Sequence, residues 1–463
     1  MKMFFAKPHE LFDRFDPKYV AFKRRAASFR YPAVTIGSLL SEPPEYGAGE
    51  AGVERENETT PRYIRITDID ENGELLPGLG MTATKVEPRY LLRDGDLLFA
   101  RSGTVGKCYL HDSERVDYPC FYAGYMIRFR FDEKVLPKYV FAFAQTPYFH
   151  EWVSAIQRSA VQPNINAQEY RSLEIPLPPL PEQRKIVAEL DTAYAAKREA
   201  DAKAAKLLAS IDDMVLNELG IAKLPKPDTS LSSRIFTVSA REVLNGRLDA
   251  HYNQEAFREL ASLIQKNESC CCLGSVGCFV RGVTYKAEDE AEEGHVILRA
   301  NNVSLNEFDL DLSDLVRVST SISFSPAQQV RNGDILICAA SGSKEHAGKV
   351  AYIKEAPADT YIGGFMMVLR TTEDVNPEYV AAYMQSSIFR RLIFRHLGGT
   401  NINNVSLELL NKLPLILPDS AAQRRIASKA SSIRAEARKL KADATAALDA
   451  AKKAIEKRIV DGR

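Results

Sequence analysis

The stretch Arg93-Asp-Gly-Asp-Leu-Leu-Phe-Ala-Arg-Ser-Gly103 returns later in the chain as Arg331-Asn-Gly-Asp-Ile-Leu-Ile-Cys-Ala-Ala-Ser-Gly342. Further matches follow in the same order at a displacement of about 240 residues, and Asn164-Ile-Asn166 is matched with Asn401-Ile-Asn403. Solenoid repeats are about 20–50 residues long. A period of this length therefore indicates the duplication of a whole domain.

Each repeat begins with short strand-like runs, such as Asp96–Ala100 and Asp334–Cys338, which glycine-rich turns separate. A helical stretch follows near 138–157 and near 378–396. Short apolar runs followed by helices predict a duplicated α+β domain. The predicted divisions are a first α+β domain at 1–175, a first long helix at 176–220, a linker at 221–235, a second α+β domain at 236–413 and a second long helix at 414–463.

The two long helices carry apolar and small residues at alternating steps of four and three, and the series in the second helix includes Ala447 and Ala454. A seam that recurs every 3.5 residues predicts a coiled coil. Because the two helices match in length and seam, we expect each to be the partner of the other; two independent surface helices are the alternative. The larger seam residues are Ile186, Leu190, Leu207 and Ile211 in the first helix and Ile426, Ile433 and Leu440 in the second.

The 463 residues balance 61 Lys and Arg against 61 Asp and Glu. A net charge of zero argues against a protein that coats nucleic acid or membranes through bulk charge, although it leaves a local basic face possible. No stretch reaches the roughly 18–20 apolar residues that span a membrane, and the first ten residues have too short an apolar core for a secretory signal. Seven unevenly spaced cysteines predict reduced thiols in the cytoplasm.

The sequence offers no convincing catalytic or metal site. Gly47–Gly52 fits G-x-G-x-x-G, but it lies in an acidic loop without the strand before it and the helix after it that a dinucleotide loop requires. Asp132–Lys134 is interpreted as a solvated turn. Cys270–Cys272 with Cys278 lack the paired spacing of zinc sites, and the first repeat has strand residues there. We therefore predict no catalytic residue, metal or cofactor in this chain.

The second stretch of diagnostic value is Ile175-Pro-Leu-Pro-Pro-Leu-Pro-Glu-Gln-Arg-Lys-Ile-Val-Ala-Glu-Leu-Asp191. It resembles the hallmark of the specificity subunits of type I restriction–modification systems, in which a Pro/Leu run and Glu-Gln-Arg-x-Ile open the helix after each target-recognition domain. The second copy, Pro414–Gln423, lacks the Pro-Pro pair and the glutamate but keeps Gln423-Arg-Arg-Ile426. Nearly the whole chain fits the order of domain and helix in that family.

The resemblance implies a subunit that catalyses nothing itself. Each recognition domain would read one half of a bipartite site in double-stranded DNA, with the two helices as an antiparallel coiled coil that acts as a ruler. Two methyltransferase subunits would dock and use S-adenosylmethionine, and restriction subunits would add translocation and cleavage with ATP and Mg²⁺. A coiled-coil interaction scaffold without DNA binding, and a restriction subunit with its own catalysis, are the alternatives.

The loops after the two Gly-Asp strands are the predicted DNA contacts, because they carry donors and acceptors that match base edges. The Gly-Lys pairs at their ends are candidate phosphate contacts; hairpin turns with solvated lysines are the alternative. The acidic stretches at 42–58 and 288–293 are expected to face away from phosphate. The candidate residues are Arg101, Ser102, Thr104 and Lys107 in the first loop and Ser341, Ser343, Lys344 and Lys349 in the second.

Overall fold

The computed structural model describes residues 17–25, 29–157, 163–222, 230, 235–240, 247–304, 309–397 and 403–460. Asn401 and most of the predicted linker lie outside these residues. The chain divides into unit 1, Met1–Ala200 with Ala442–Arg463, and unit 2, Asp201–Lys441. Within the described residues, no helix has the length and apolar character needed to cross a membrane.

The α-helices within the described residues alternate between short helices of the α+β domains and two long ones. Their bounds are α1 Pro17–Arg25, α2 Pro137–Ala144, α3 Pro147–Ile156, α4 Ala167–Arg171, α5 Leu180–Glu218, α6 Glu255–Gln265, α7 Pro377–Gln385, α8 Ser387–His396, α9 Leu407–Lys412 and α10 Ser420–Ile459.

The strands are mostly short. In unit 1 they are β1 Ala33–Thr35, β2 Glu45–Tyr46, β3 Gly52–Glu54, β4 Arg62–Ile64, β5 Met81–Ala83, β6 Leu97–Ala100, β7 Cys108–Leu110, β8 Cys120–Tyr122, β9 Met126–Phe129 and β10 Glu174–Pro176. In unit 2 they are β11 Cys270–Cys272, β12 Gly277–Arg281, β13 Glu290–Leu298, β14 Val316–Val318, β15 Ile335–Cys338, β16 Ala340–Ser341, β17 Val350–Tyr352, β18 Thr360–Ile362, β19 Met366–Thr371, β20 Asn403–Asn404 and β21 Pro414–Ile416.

The main antiparallel sheets of the two units have the same topology, whereas the second sheet has four strands in unit 1 and three in unit 2. Unit 1 contains an antiparallel sheet in the order β2-β9-β6-β7, and unit 2 contains its counterpart in the order β12-β19-β15-β17. A second sheet pairs β4 with β8 in parallel, as β13 pairs with β18. The predicted duplication of an α+β domain is confirmed, and β6 and β15 lie at the predicted Gly-Asp positions.

Each domain closes with a two-stranded sheet that joins its beginning to its end. β1 pairs with β10 in unit 1, and β11 pairs with β21 in unit 2. The run Cys270–Cys272 therefore forms, in unit 2, the strand equivalent to Ala33–Thr35 in unit 1. The cysteines of this run are free thiols, and burial raises the pKa of Cys270 and Cys271. These cysteines take the place of ordinary strand residues.

One predicted match between the repeats is wrong. The Ile165 N–H donates to the Arg101 carbonyl at 2.8 Å, and the Val405 N–H donates to the Ala339 carbonyl at 2.7 Å. Ile165 and Val405 are therefore equivalent, so Asn164 corresponds to Asn404 and not to Asn401. The two identical Asn-Ile-Asn sequences suggested the wrong match, because backbone pairing, and not side-chain identity, sets the equivalent positions in this segment.

In unit 1, the first turns of α5 pack against the last turns of α10. Ile186 and Leu190 share a buried cluster with Leu448 and Ile455. Glu182 and Glu189 both form ion pairs with Arg458, and the Lys452 ammonium lies 5.9 Å from the centre of the Tyr194 ring. Because positions later in α5 meet positions earlier in α10, the two helix segments run antiparallel.

In unit 2, the last turns of α5 pack against the first turns of α10. Glu218 forms ion pairs with Arg425 and Lys429 at 2.8 and 2.6 Å, whereas Leu208 and Asp212 line a cavity together with Arg434. This pairing is also antiparallel. Among the predicted seam residues of this unit, Ile211 and Ile426 are buried and Ile433 packs against the same cluster, whereas Leu207 and Leu440 are half-buried.

The glutamine of the Pro-Glu-Gln-Arg hallmark connects each long helix to its domain. Gln183 is fully buried, and its Oε1 accepts from the Leu136 N–H at 2.8 Å while its Nε2 donates to the Pro178 carbonyl at 2.9 Å. Gln423 accepts from the Asn376 N–H at 2.9 Å in the same way. Leu136 and Asn376 immediately precede α2 and α7, so the glutamine satisfies a donor at the start of each domain helix.

Candidate nucleic-acid interface

The first predicted loop joins β6 to β7 in unit 1. Arg101 directly follows β6, and its guanidinium lies 4.8 Å from the centre of the Tyr46 ring. Its Nε is buried and has no hydrogen-bond partner among the described residues. Ser102 forms a β-bridge with Asn164, and Thr104 is exposed. This loop therefore holds an arginine on an aromatic ring with unused hydrogen-bonding capacity.

The Gly-Lys pair at the end of this loop has a structural role. Gly106 has φ +83°, and a Cβ there would lie 2.7 Å from Val153 Cγ2, so only glycine fits. Lys107 is half-buried, and its Nζ donates to the Ile66 carbonyl at 3.4 Å. The amine of Lys107 therefore points toward the β4 side of its own domain.

The second loop gives a clearer correction. Lys349 is 3% exposed, and its Nζ donates to the Val303 carbonyl at 2.7 Å. Burial lowers the pKa of this amine. The predicted phosphate contact by Lys349 is contradicted, because its ammonium lies inside the domain. Gly348, with φ +73°, would bring a Cβ within 3.0 Å of Ile393, so this Gly-Lys pair also belongs to the fold.

The other residues of the second loop lie at the surface. Ser341 lies in β16 and pairs with Asn403. The Ser343 hydroxyl accepts from the Glu345 N–H at 3.3 Å, and Ser343 and Lys344 are exposed. Ser341, Ser343 and Lys344 therefore stay candidates for DNA contact, together with Arg101, Ser102, Thr104 and the half-buried Lys107.

Sequence reasoning missed the exposed aromatic residue on a neighbouring turn. Tyr125, between β8 and β9, is 67% exposed, and Phe365, between β18 and β19, is 73% exposed. In each unit the two strands that flank this turn belong to different sheets. The Arg101 N–H donates to the Tyr125 carbonyl at 2.9 Å, and the Ala339 N–H donates to the Phe365 carbonyl at 2.8 Å. The turn and the predicted loop are therefore adjacent in each unit, and Gly-Tyr beside Gly-Phe in the repeat was the available signal.

The first glycine of the G-x-G-x-x-G pattern packs against this turn. A Cβ on Gly47 would lie 2.4 Å from the carbonyl oxygens of Tyr122 and Ala123, and a Cβ on Gly282 would lie 1.8 Å from that of Gly363. Gly47 and Gly282 are equivalent because their N–H groups donate to the carbonyls of Met126 and Met366, respectively. Close backbone packing therefore explains the first glycine, whereas a Cβ on Gly49 would meet no atom within 4 Å. The short strand β2 precedes the pattern, where the sequence predicted no strand.

Part of the second acidic stretch lies beside this surface. Glu290 lines a cavity of about 510 Å³ together with Tyr285, Arg299, Asn301 and Phe365. Glu290 therefore lies near the exposed Phe365, and the expectation that 288–293 faces away from phosphate stays a prediction. A carboxylate at this position could accept a hydrogen bond from a cytosine amino group.

Within the described residues, no group of three or more His, Cys, Asp or Glu side chains is placed to hold a metal ion. Asp132 and Lys134 form a local ion pair at 2.8 Å, as a solvated turn would. The exposed loops carry guanidinium, hydroxyl, amide and aromatic groups, which can form hydrogen bonds and stacking contacts.

Comparison with known sequences places this architecture in a family. Residues 54–205 and 270–447 match the profile of the type I restriction modification DNA specificity domain. These matches cover more than half of the chain, and the chain belongs to this family. The two matched segments fall one in each repeat, with the exposed loops inside them.

The chain is 32% identical over 174 residues to the type I restriction enzyme StySPI specificity subunit of Salmonella potsdam and 31% identical to the EcoKI specificity subunit of Escherichia coli strain K12. Each alignment covers 37% of this chain and 37% of the relative, a little over a third of the length of either.

Two solved structures align over most of the chain. One, from a study of complex assembly and conformational transition of the type I R-M system, is 18% identical with a TM-score of 0.45 and covers 93% of this chain and 99% of that chain. The other, a type I restriction-modification system S subunit from M. genitalium, is 14% identical with a TM-score of 0.40 and covers 94% and 98%.

Proposed function

We propose that this chain is the DNA specificity subunit of a type I restriction–modification complex and that it catalyses no step itself. Residues 1–175 and 236–413 are proposed as the target-recognition domains, each of which reads one half of a bipartite site in double-stranded DNA. Two methyltransferase subunits dock on the chain and use S-adenosylmethionine, and restriction subunits supply translocation and cleavage with ATP and Mg²⁺. The ruler role of the long helices stays a prediction.

The observation that carries this proposal is that the two domains share a backbone framework but differ in the side chains on it. Equivalent backbone hydrogen bonds join the loop to the turn that carries Tyr125 or Phe365 in both units. On that framework, Arg101 in unit 1 is replaced by Ala339 in unit 2, and Asp68 is replaced by Asn302, which makes the equivalent capping hydrogen bond. Two domains that read different half-sites require the same backbone and different hydrogen-bonding groups.

The test is the methylated sequence. The chain is expressed with its methyltransferase subunits in cells that lack other adenine methylation, and single-molecule sequencing reads the modified adenines. We expect one bipartite motif that disappears when this chain is omitted. Methylation that persists without the chain, or an uninterrupted motif, would contradict the proposal.

Binding gives a second measurement. Because the chain has zero net charge, we expect weak binding of a cognate duplex by the isolated chain and specific binding after the methyltransferase subunits add phosphate contacts. Fluorescence anisotropy with and without those subunits measures the difference. A scaffold without DNA binding would show no specific binding in either case.

A further inference from the structure

We propose that Tyr125 and Phe365 are equivalent DNA-contact residues, whose rings pack against the bases or sugars of the two half-sites and supply affinity. This inference rests on the proposed function. Tyr46, Tyr125 and Phe365 are the exposed aromatic side chains among the described residues. The next residues, Met126 and Met366, are buried at 0% and 1% exposure, so the chain turns into the core directly after each exposed ring.

The backbone that carries each ring is well fixed. The Gly124 N–H donates to the Ala48 carbonyl at 2.7 Å, and the Tyr125 carbonyl accepts from Arg101. In unit 2 the Phe365 carbonyl accepts from both Ala339 and Ala340, at 2.8 and 3.3 Å. An exposed ring on a turn whose backbone is fixed loses little conformational entropy when it binds. Such a ring adds little to folding, because it is not packed in the core.

The arginines of the same surfaces indicate that the rings bind DNA. In unit 1, Arg101 lies on Tyr46 with its Nε unpaired. Unit 2 has alanine at the position of Arg101, but Arg299 lines the cavity beside Phe365, and its Nε is also unpaired among the described residues. A cation beside an exposed ring matches a ligand that combines phosphates with flat bases.

The arginines of the two units come from different strands. Arg65, the counterpart of Arg299, is held by Asp68 through two hydrogen bonds at 2.9 and 2.8 Å. Asn302 replaces that carboxylate in unit 2, and the nearest carboxylate of Arg299 is Asp314 at 3.3 Å. The arginine whose buried Nε lacks a partner beside the exposed ring therefore follows β6 in unit 1 and β13 in unit 2. The ring position is common to both units, whereas the polar group that can distinguish bases differs.

The ring contributes binding affinity but no base specificity, because every base has an aromatic face. Phe365 lacks the hydroxyl of Tyr125, so the shared element is the ring. We expect Tyr125→Ala and Phe365→Ala each to weaken binding of the cognate duplex about tenfold and to leave the methylated motif unchanged. Tyr125→Phe and Phe365→Tyr should restore binding.

The experiment uses the complete complex with its methyltransferase subunits, the duplex that contains its methylated motif, and anisotropy titrations at several salt concentrations. Loss of a ring should leave the slope of log affinity against log salt unchanged, because no counterion release is lost. Leu263→Ala, an exposed apolar residue on α6, is the control for loss of surface hydrophobicity, and thermal melting of each variant confirms folding.

Unchanged affinity in folded Tyr125→Ala and Phe365→Ala complexes would overturn the inference while the proposed function stands. Equal weakening by Leu263→Ala, or no recovery in the conservative variants, would also overturn it. A wild-type complex that binds no duplex specifically would instead remove the proposed function and this contact with it.

Discussion

At the scale of single residues, the aspartate of each Gly-Asp motif forms a buried ion pair. Asp96 accepts from Arg130 Nε at 2.6 Å and Nη2 at 3.0 Å, and Asp334 accepts from Arg370 at 2.9 and 3.0 Å. Asp96 is 2% exposed and Arg130 is 13% exposed at the side chain. The hydrogen bond to Asp96 raises the pKa of Arg130. The aspartate of the motif therefore has a structural role inside each domain.

Arg130→Met should lower the free energy of unfolding of unit 1 by about 3 kcal/mol, because it leaves the Asp96 carboxylate buried without its partner. Urea denaturation followed by the fluorescence of Trp152, the chain's single tryptophan and a buried residue of unit 1, measures the change. Lys85→Met removes an exposed ion pair with Glu87 and should leave the transition in place. Equal shifts for both variants would contradict the assignment.

The two lysines of the second loop should differ in DNA binding. Lys344 is exposed, whereas the Lys349 amine bonds to Val303 inside the domain. In the complete complex, Lys344→Met should reduce the slope of log affinity against log salt by about one, and Lys349→Met should leave that slope unchanged. Anisotropy titrations over a salt series decide between them. A changed slope for Lys349→Met would show that this lysine reaches phosphate.

At the scale of elements, the hallmark glutamine lies in the first turn of each long helix and attaches that helix to its domain through hydrogen bonds. Gln183→Ala leaves the Leu136 N–H and the Pro178 carbonyl without their partner. We expect the free energy of unfolding of unit 1 to fall by about 2 kcal/mol, the cost of leaving such groups unpaired. Trp152 fluorescence during urea denaturation measures it. Gln168→Ala, at an exposed position of α4, is the control, and equal effects would argue against the role of Gln183.

The seam of α10 departs from the heptad prediction toward its end. Ala447 and Ala454 were expected in the seam but are exposed, whereas Leu448 and Ile455 are buried at 1% each. An α-helix has 3.6 residues per turn, so a strict 3.5-residue repeat drifts when a helix also packs on a domain. The cluster around Ile455 includes side chains of the α+β domain as well as α5.

Ile455→Ala should lower the free energy of unfolding of unit 1 by about 3 kcal/mol, because a buried branched side chain leaves a cavity. Ala454→Ser, one residue earlier on the exposed face, should have no measurable effect. Both variants are read through Trp152 in urea. If Ala454→Ser were the more damaging change, the heptad register predicted from sequence would be the correct one.

At the scale of the whole molecule, duplication predicts independent reading by the two recognition domains. Replacement of residues 1–175 by the corresponding domain of another family member should change one half of the methylated motif and leave the other half intact. The donor domain should be chosen so that its contacts with Gln183 are preserved. Single-molecule methylation sequencing reads the outcome. A motif altered in both halves would contradict independent reading.

The sequence alone determined the features that depend on local or periodic patterns. Ordered matches revealed the duplication, the apolar runs predicted β6 and β15, and the three–four spacing predicted the long paired helices, because strand and helix periods are visible in one dimension. The hallmark around Gln183 indicated the family. None of these inferences required knowledge of which side chains meet.

Only the tertiary structure decided which roles the residues of the repeated motifs have. Lys349 reads as a cationic loop residue in the sequence, but it is buried, and its amine is paired inside the domain. The partners Asp96 and Arg130 are 34 residues apart. Arg101 and Arg299, each with a buried Nε that lacks a partner, follow different strands in the two units. The exposure of Tyr125 and Phe365 was equally hidden, because it depends on a turn between two sheets that packs closely on Gly47 or Gly282. Hydrogen bonds and burial between distant segments set these roles, and the order of residues along the chain does not show directly which segments become neighbours.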